Sequence, residues 1–154
     1  MLEDSFEEVY NKFKIHFYKQ AFKRMADREA TLSTLETFCV EIIYALGSPT
    51  INEFANFLEI SSPNATYKIN SLIHKGYVEK VRSDTDRREY HLKVTDKFFN
   101  YYNISHSYIK TVTQRMEEVF SKEEIAELDR ALQKVSKDLM PEVDIHLLEE
   151  SSEA

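Results

Sequence analysis

Glycine, proline, cysteine and tryptophan are all scarce in this 154-residue sequence, which has two, three, one and none of them respectively. The two glycines, Gly47 and Gly76, are too few for a glycine-rich loop that cradles phosphate groups. The single cysteine, Cys39, excludes an internal disulfide. No apolar run approaches the roughly 18 residues of a membrane helix. Because the acidic N-terminus also lacks the features of a signal peptide, we expect a cytoplasmic protein.

Residue patterns typical of enzymes and metal sites are missing as well. The five histidines include no pair at the i, i+4 spacing of metal ligands, although a zinc site assembled from distant positions is an alternative. Cys39 lies on an apolar helical stripe, which favours a core residue over a redox sensor. Neither a nucleophile elbow nor a paired-carboxylate motif is present. We therefore expect no enzyme activity, no cofactor and no metal.

An ordered series of patterns does occur between residues 50 and 95. Thr50 and Glu53 fit a capping box that opens a short helix. A second helix begins near Ser62, which can cap it, and Pro63 suits its first position. Gly76 suits the end of that helix, because glycine turns left-handed without a Cβ penalty. The buried stripe of this second helix has helical spacing and comprises Ala65, Ile69, Leu72 and Ile73.

Two strand-like runs follow, at residues 77–82 and 89–94. In the second, Tyr90, Leu92 and Val94 alternate with polar residues, as in a half-buried strand. The loop between the runs, residues 83–88, is charged, and its aspartates are placed to pair with its arginines. The order helix, turn, helix, strand, loop, strand predicts a winged helix-turn-helix, a fold that binds DNA.

The polar face of the second helix suggests how such a fold would contact DNA. It carries one lysine and no carboxylate, as expected of a helix that lies in a phosphate-lined groove. Asn64 can pair with both edge atoms of adenine, and Lys68 suits a phosphate. Arginines near the hairpin tip can reach the neighbouring backbone or minor groove. The predicted DNA-binding residues are Ser61, Ser62, Pro63, Asn64, Tyr67, Lys68, Ser71, Arg82, Arg87 and Arg88. An ordinary polar helix face and a solvated hairpin tip are the alternatives.

The net charge of −7 argues against a DNA partner, but the distribution of charge along the chain reverses that conclusion. Residues 61–95 have seven basic and four acidic side chains, whereas residues 121–154 have four basic and ten acidic ones. The positive charge is therefore concentrated in the second helix and the hairpin. The acidic flanks should make DNA affinity modest and sensitive to salt.

The same residues resemble the MarR family of bacterial transcriptional regulators. The resemblance is carried by Lys75-Gly76, by the hairpin motif Asp86-Arg87-Arg88 and by Val94-Thr95. One departure is Phe98, which stands where the family often has glycine. The resemblance implies a homodimer, repression as the commoner mode of control, and a small-molecule effector bound between the dimer region and the DNA-binding region.

The flanking segments read as helices of a mainly α protein with a two-stranded β wing. One helix is predicted over residues 5–26, and a capping box at Ser33 and Glu36 opens the next. Thr95 is expected to cap a long helix reaching about Phe120. Ser121 and Glu124 form another capping box, and Pro141 should end or bend the last helix.

The resulting layout is one structural domain with four segments. Residues 1–30 form an N-terminal dimerisation helix, 31–95 the winged helix-turn-helix, and 96–148 a long helix and C-terminal dimerisation helices, while 149–154 form a disordered acidic tail. We predict a homodimeric, sequence-specific regulator that binds double-stranded DNA at a pseudo-palindromic operator. The alternative is a winged-helix module that binds a partner protein and not DNA.

Overall fold

The computed structural model describes residues 1–26, 32–101 and 104–143. Helices dominate this part of the chain, and a single antiparallel pair of strands lies between α4 and α5. The elements are α1 (Leu2–Met25), α2 (Thr34–Ala45), α3 (Ile51–Leu58), α4 (Ser62–His74), β1 (Val78–Arg82), β2 (Tyr90–Val94), α5 (Asp96–Tyr101), α6 (Ile104–Val119) and α7 (Lys122–Asp138). The predicted fold class, mainly α with a two-stranded wing, is confirmed.

The described residues fall into two compact units. The central unit lies within Tyr18–Asn103, and the terminal unit lies within Met1–Phe17 and Ile104–Asp144. The central unit holds α2 to α5 and the wing, which we define as residues 78–94 (β1, β2 and the loop between them). The terminal unit holds the first part of α1 together with α6 and α7.

The core of the central unit joins α2, α3, α4, the wing and α5. Val40, Phe54, Ile69, Leu92 and Phe98 are each completely shielded from solvent. The predicted stripe of α4 is confirmed, since Ala65, Ile69 and Leu72 are buried and Ile73 packs against them. The expected support of α4 by α2 is confirmed, since α2 packs against α4 and β2.

Phe98 occupies the core position where the MarR family often has glycine. Its ring centroid lies 5.3 Å from that of Tyr44 on α2 and 5.4 Å from that of Phe99. The larger side chain is therefore accommodated by an aromatic cluster that connects α5 to α2.

The strands pair in register from Val78 opposite Val94 to Arg82 opposite Tyr90. Each strand starts one residue later than predicted. The expected burial of Tyr90 is wrong, because its side chain is 44% exposed at the outer end of the ladder. The segment before α3 adds to the edge of the sheet, since the Leu92 amide donates to the Pro49 carbonyl at 2.8 Å and Thr50 bridges to His91.

Two of the three capping boxes form as predicted. Ser33 and Glu36 exchange both bonds at the start of α2, and Ser121 and Glu124 do the same at the start of α7. At α3, the Thr50 hydroxyl accepts from the Glu53 amide at 3.1 Å, while the Glu53 carboxylate accepts from that hydroxyl and not from the Thr50 amide.

Other predicted boundaries need correction. The first helix begins at Leu2, three residues earlier than expected. Thr95, the predicted N-cap, directly precedes α5, and its carbonyl accepts from the Phe98 amide at 3.0 Å, while its hydroxyl donates to the Gly76 carbonyl at 2.6 Å. The region expected to form one long helix appears as α5 and α6, with residues 102–103 outside the described part. The last helix ends at Asp138, before Pro141. The predicted break at residues 27–30 and the predicted acidic tail at residues 149–154 lie outside the described residues.

Packing in the terminal unit is thinner than in the central unit. Tyr108 on α6 stacks on His16 of α1 with ring centroids 3.7 Å apart and meets Phe13 edge-on. Along α7, no side chain is buried, and Leu132 and Leu139 are 51% and 65% exposed. None of the helices in the described part of the chain has the length and apolarity needed to cross a membrane.

Candidate nucleic-acid interface

The turn between α3 and α4 is built by three consecutive residues. Glu59 ends α3 in the left-handed region at φ 54°, a conformation that residues with a Cβ adopt less readily than glycine. The Ile60 amide donates to the Ala55 carbonyl at 3.0 Å, and the Ile60 side chain packs against the core. Ser61 then caps α4 by accepting from the Asn64 amide at 3.3 Å.

The prediction that Ser62 caps α4 is therefore wrong by one residue. With Ser61 as the cap, Ser62 and Pro63 occupy the first turn, where the missing amide of proline costs no hydrogen bond. The shift leaves the Ser62 hydroxyl on the exposed start of the helix.

The outer face of α4 presents the predicted residues to solvent in its first two turns. Ser62, Pro63 and Asn64 are exposed, and Tyr67 is 77% exposed. Lys68 is half-buried. No acidic residue occurs on α4, whereas a surface that serves only solubility usually mixes charges of both signs.

Ser71 is the predicted contact that the structure places differently. Its side chain is half-buried, and its hydroxyl donates to Glu36 Oε1 on α2 at 2.6 Å. The polar face of α4 is thus divided: its N-terminal part faces solvent, whereas Ser71 faces α2.

Glu36 is a residue that the sequence did not mark as part of this region. Lys75 Nζ donates to its Oε1 at 3.0 Å and to its Oε2 at 2.8 Å, in addition to the bond from Ser71. Burial alone would raise the pKa of the Glu36 carboxyl, but the hydrogen bonds from Lys75 and Ser71 lower it to about 2. Its partners lie 35 and 39 residues away in sequence, so helical spacing could not reveal them.

The C-terminus of α4 is held by residues from beyond the wing. Lys97 Nζ donates to the Lys75 carbonyl at 2.9 Å and lies 4.6 Å from the centre of the Tyr77 ring. A cation at a helix C-terminus is favoured by the helix dipole. Gly76 adopts φ +84° just after this end, which confirms its predicted role as the left-handed stop.

The wing loop is ordered by bonds from side chains to its backbone and not by the predicted aspartate–arginine ion pairs. Asp86 Oδ1 accepts from the Arg88 amide at 2.9 Å, and Arg82 Nε donates to the Arg87 carbonyl at 2.9 Å. Within the described residues, the structure shows no ion pair between an aspartate and an arginine of this loop. The Arg87 and Arg88 side chains therefore extend, exposed, from a turn that is held by these bonds.

The described residues offer little for a metal or a reactive thiol. No group of three or more metal-ligating side chains occurs among them. Cys39 is buried between α2 and the core, and burial raises the pKa of its thiol, which opposes thiolate chemistry.

The order of α3, α4 and an antiparallel hairpin, with α4 capped by serine and exposed along its N-terminal face, defines a winged helix-turn-helix domain. Residues 32–90 match the model of the MarR family. This match confirms the resemblance to the MarR family drawn from the sequence.

One known protein is similar to this chain in sequence, and solved structures of other proteins share its fold. An uncharacterized helix-turn-helix-type transcriptional regulator, YkoM of Bacillus subtilis, is 24% identical over 101 residues, which span 62% of this chain and 64% of YkoM. The match thus covers less than two thirds of that relative. Streptococcus pneumoniae FabT, solved in complex with DNA, superposes with a TM-score of 0.58 at 24% identity, covering 90% of this chain and 94% of FabT. A MarR family protein from Bacillus stearothermophilus gives a TM-score of 0.61 at 16% identity, covering 90% and 92%.

Proposed function

We propose that this protein is a sequence-specific DNA-binding transcriptional regulator that acts as a homodimer and represses its target genes. The observation that carries the proposal is the exposed, carboxylate-free N-terminal face of α4 beside a wing whose arginines are not paired with its aspartates. Such a surface is complementary to double-stranded DNA, which presents phosphates along its backbone and base edges in its grooves. Repression is proposed because it is the commoner mode of control in the MarR family. Control by a small ligand is proposed because the resemblance to that family implies it.

Each predicted contact has a role that its chemistry supports. Asn64, in the first turn of α4, would pair with an adenine in the major groove, which is worth about 1–3 kcal/mol of discrimination. Lys68 would neutralise a phosphate, and Arg87 and Arg88 would reach the flanking backbone or minor groove. The solved FabT–DNA complex supports this use of a similar fold.

The homodimer is supported by the terminal unit. Phe6 and Val9 on α1 are 57% and 54% exposed, and Leu132 and Leu139 on α7 are similarly open. An apolar surface on this scale calls for a partner, and a second copy with two-fold symmetry would suit a pseudo-palindromic operator. Residues 1–30 and 96–148 are accordingly proposed as the dimerisation segments, and the protein is proposed to act in the cytoplasm.

A salt titration on mixed genomic DNA tests the proposal. The parent chain should bind with an affinity that falls steeply as salt rises. The double variant Lys68→Ala, Arg87→Ala should bind more weakly, with a salt slope reduced by roughly 4, because each of the two subunits loses two contacts. The control, Lys12→Ala with Lys134→Ala, removes the same charge from exposed sites in the terminal unit and should bind as the parent does.

The competing function is a winged-helix module that binds a partner protein. A monomer in sedimentation with no salt-dependent DNA binding would favour that alternative. Equal binding by the parent and the Lys68→Ala, Arg87→Ala variant would show that the assigned contacts are wrong.

A further inference from the structure

Glu36 accepts four hydrogen bonds on one carboxylate. Its Oε2 receives the Ser33 amide and Lys75 Nζ, each at 2.8 Å. Its Oε1 receives the Ser71 hydroxyl at 2.6 Å and Lys75 Nζ at 3.0 Å. The Glu36 side chain is only 18% exposed and that of Lys75 30%, so these bonds form where solvent competes weakly.

The donors on α4 lie one helical turn apart. Ser71 and Lys75 are at positions i and i+4, on the side of α4 that faces the start of α2. The remaining contacts of α4 with the core are made by apolar side chains such as Ile69 and Leu72, and such contacts have no strong directional preference. Two directed bonds to one fixed carboxylate restrict both the rotation of α4 about its axis and its sliding along α2.

The position of Glu36 is itself fixed by local structure. It is the third residue of α2, and its exchange of hydrogen bonds with Ser33 closes the capping box. The capping box therefore fixes the carboxylate at the start of α2 independently of its contacts with α4.

We propose that Glu36 is a positioning residue for base recognition, which holds α4 at the rotation that lets Asn64 and Tyr67 face the bases. This inference rests on the proposed function of α4. Recognition groups lose their effect when they rotate by more than about 10–20°, so the loss of Glu36 should weaken discrimination between sequences more than it weakens binding to DNA in general.

Simple electrostatics gives the opposite expectation. Replacing Glu36 by glutamine removes a negative charge close to a DNA-binding helix and breaks the ion pair with Lys75. If charge alone mattered, affinity would rise for every duplex, and the ratio of specific to nonspecific affinity would not change.

The experiment measures that ratio. The parent chain first enriches a duplex from a random-sequence library, and dissociation constants are then determined for this duplex and for a shuffled duplex of the same composition. Because both constants come from one preparation, the ratio is independent of the fraction of folded protein. The variants are Glu36→Gln, the double variant Glu36→Gln with Lys75→Gln, and Glu53→Gln as the control. Glu53 is also a capping carboxylate in the central unit, but it bonds to Thr50 on its own helix start.

For Glu36→Gln we expect the ratio to fall roughly tenfold, the equivalent of one lost base contact, while affinity for the shuffled duplex is maintained or rises. The double variant should show the same low ratio, since the neutral pair restores no carboxylate anchor. Glu53→Gln should keep the ratio of the parent.

Three outcomes would overturn the inference. An unchanged ratio in Glu36→Gln would show that apolar packing alone positions α4. Recovery of the ratio in the double variant would attribute the defect to the charge of Lys75, no longer balanced by Glu36. If the parent itself enriches no duplex, the proposed function fails and the inference fails with it, whereas the first two results leave the proposed function standing.

Discussion

The carboxylate of Glu36 should make a measurable, pH-dependent contribution to stability. Its pKa is lowered from 4.5 to about 2 in the folded chain, a shift that corresponds to roughly 3 kcal/mol of stabilisation at neutral pH. Since the Lys75 side chain is 30% exposed, solvent screens part of this interaction, and we expect Glu36→Gln to lower the free energy of unfolding by about 2–3 kcal/mol at pH 7.

The sign of the pH dependence follows from the lowered pKa. The contribution is complete above the unfolded-state pKa, near 4.5, and is lost as the pH falls toward the folded-state value of about 2. Urea unfolding of the parent and of Glu36→Gln, followed by circular dichroism at equal protein concentration from pH 7 to pH 2.5, should give stability curves that converge in acid.

Glu124→Gln provides a matched control. Glu124 forms the same capping box with Ser121, but its side chain is exposed and bonds to no second helix among the described residues. Its removal should change stability much less than the removal of Glu36. A Glu36→Gln curve that runs parallel to the parent curve at every pH, or that coincides with it at pH 7, would refute the reasoning.

Three further predictions concern the interior and the terminal unit. Burial raises the pKa of Glu41 to about 7, and a raised carboxyl pKa destabilises the fold as the pH rises from 4.5 to 7. Glu41→Gln should therefore increase the free energy of unfolding by about 1–3 kcal/mol at pH 8 and leave it unchanged at pH 4. Urea titrations at both pH values test this. Phe98→Ala should cost about 3–5 kcal/mol in the same assay, because Phe98 is completely buried, and a cost below 1 kcal/mol would contradict its place in the core. Leu132→Glu should dissociate the proposed dimer in sedimentation, whereas Gln133→Glu, which adds the same charge at the next position, should not; dissociation by neither variant would place the dimer interface elsewhere.

The sequence predicted best those features that depend on local spacing. The stripe of α4, the capping boxes at Ser33 and Ser121 and the left-handed stop at Gly76 are each specified within a few residues, because helical periodicity and caps are properties of a short segment. The motifs of α4 and the wing also sufficed to indicate the MarR family.

What the sequence could not show depends on contacts between distant segments. Ser71 was predicted to contact DNA because it lies on the polar face of α4, yet the packing of α2 brings Glu36 to it. Thr95 had the chemistry of a cap, and the pairing of the strands also brings the Gly76 carbonyl to its hydroxyl. In both cases a polar side chain that could serve two partners is engaged by the one that tertiary packing supplies.

The central claim, that two copies of α4 and the wing engage one duplex, is tested most directly by hydroxyl-radical footprinting of the enriched duplex. The account predicts two equivalent protected segments whose centres lie about one helical turn, ~10 base pairs, apart, with protection lost in the Lys68→Ala, Arg87→Ala variant. A single protected segment without two-fold symmetry, or protection that the double variant retains, would contradict it.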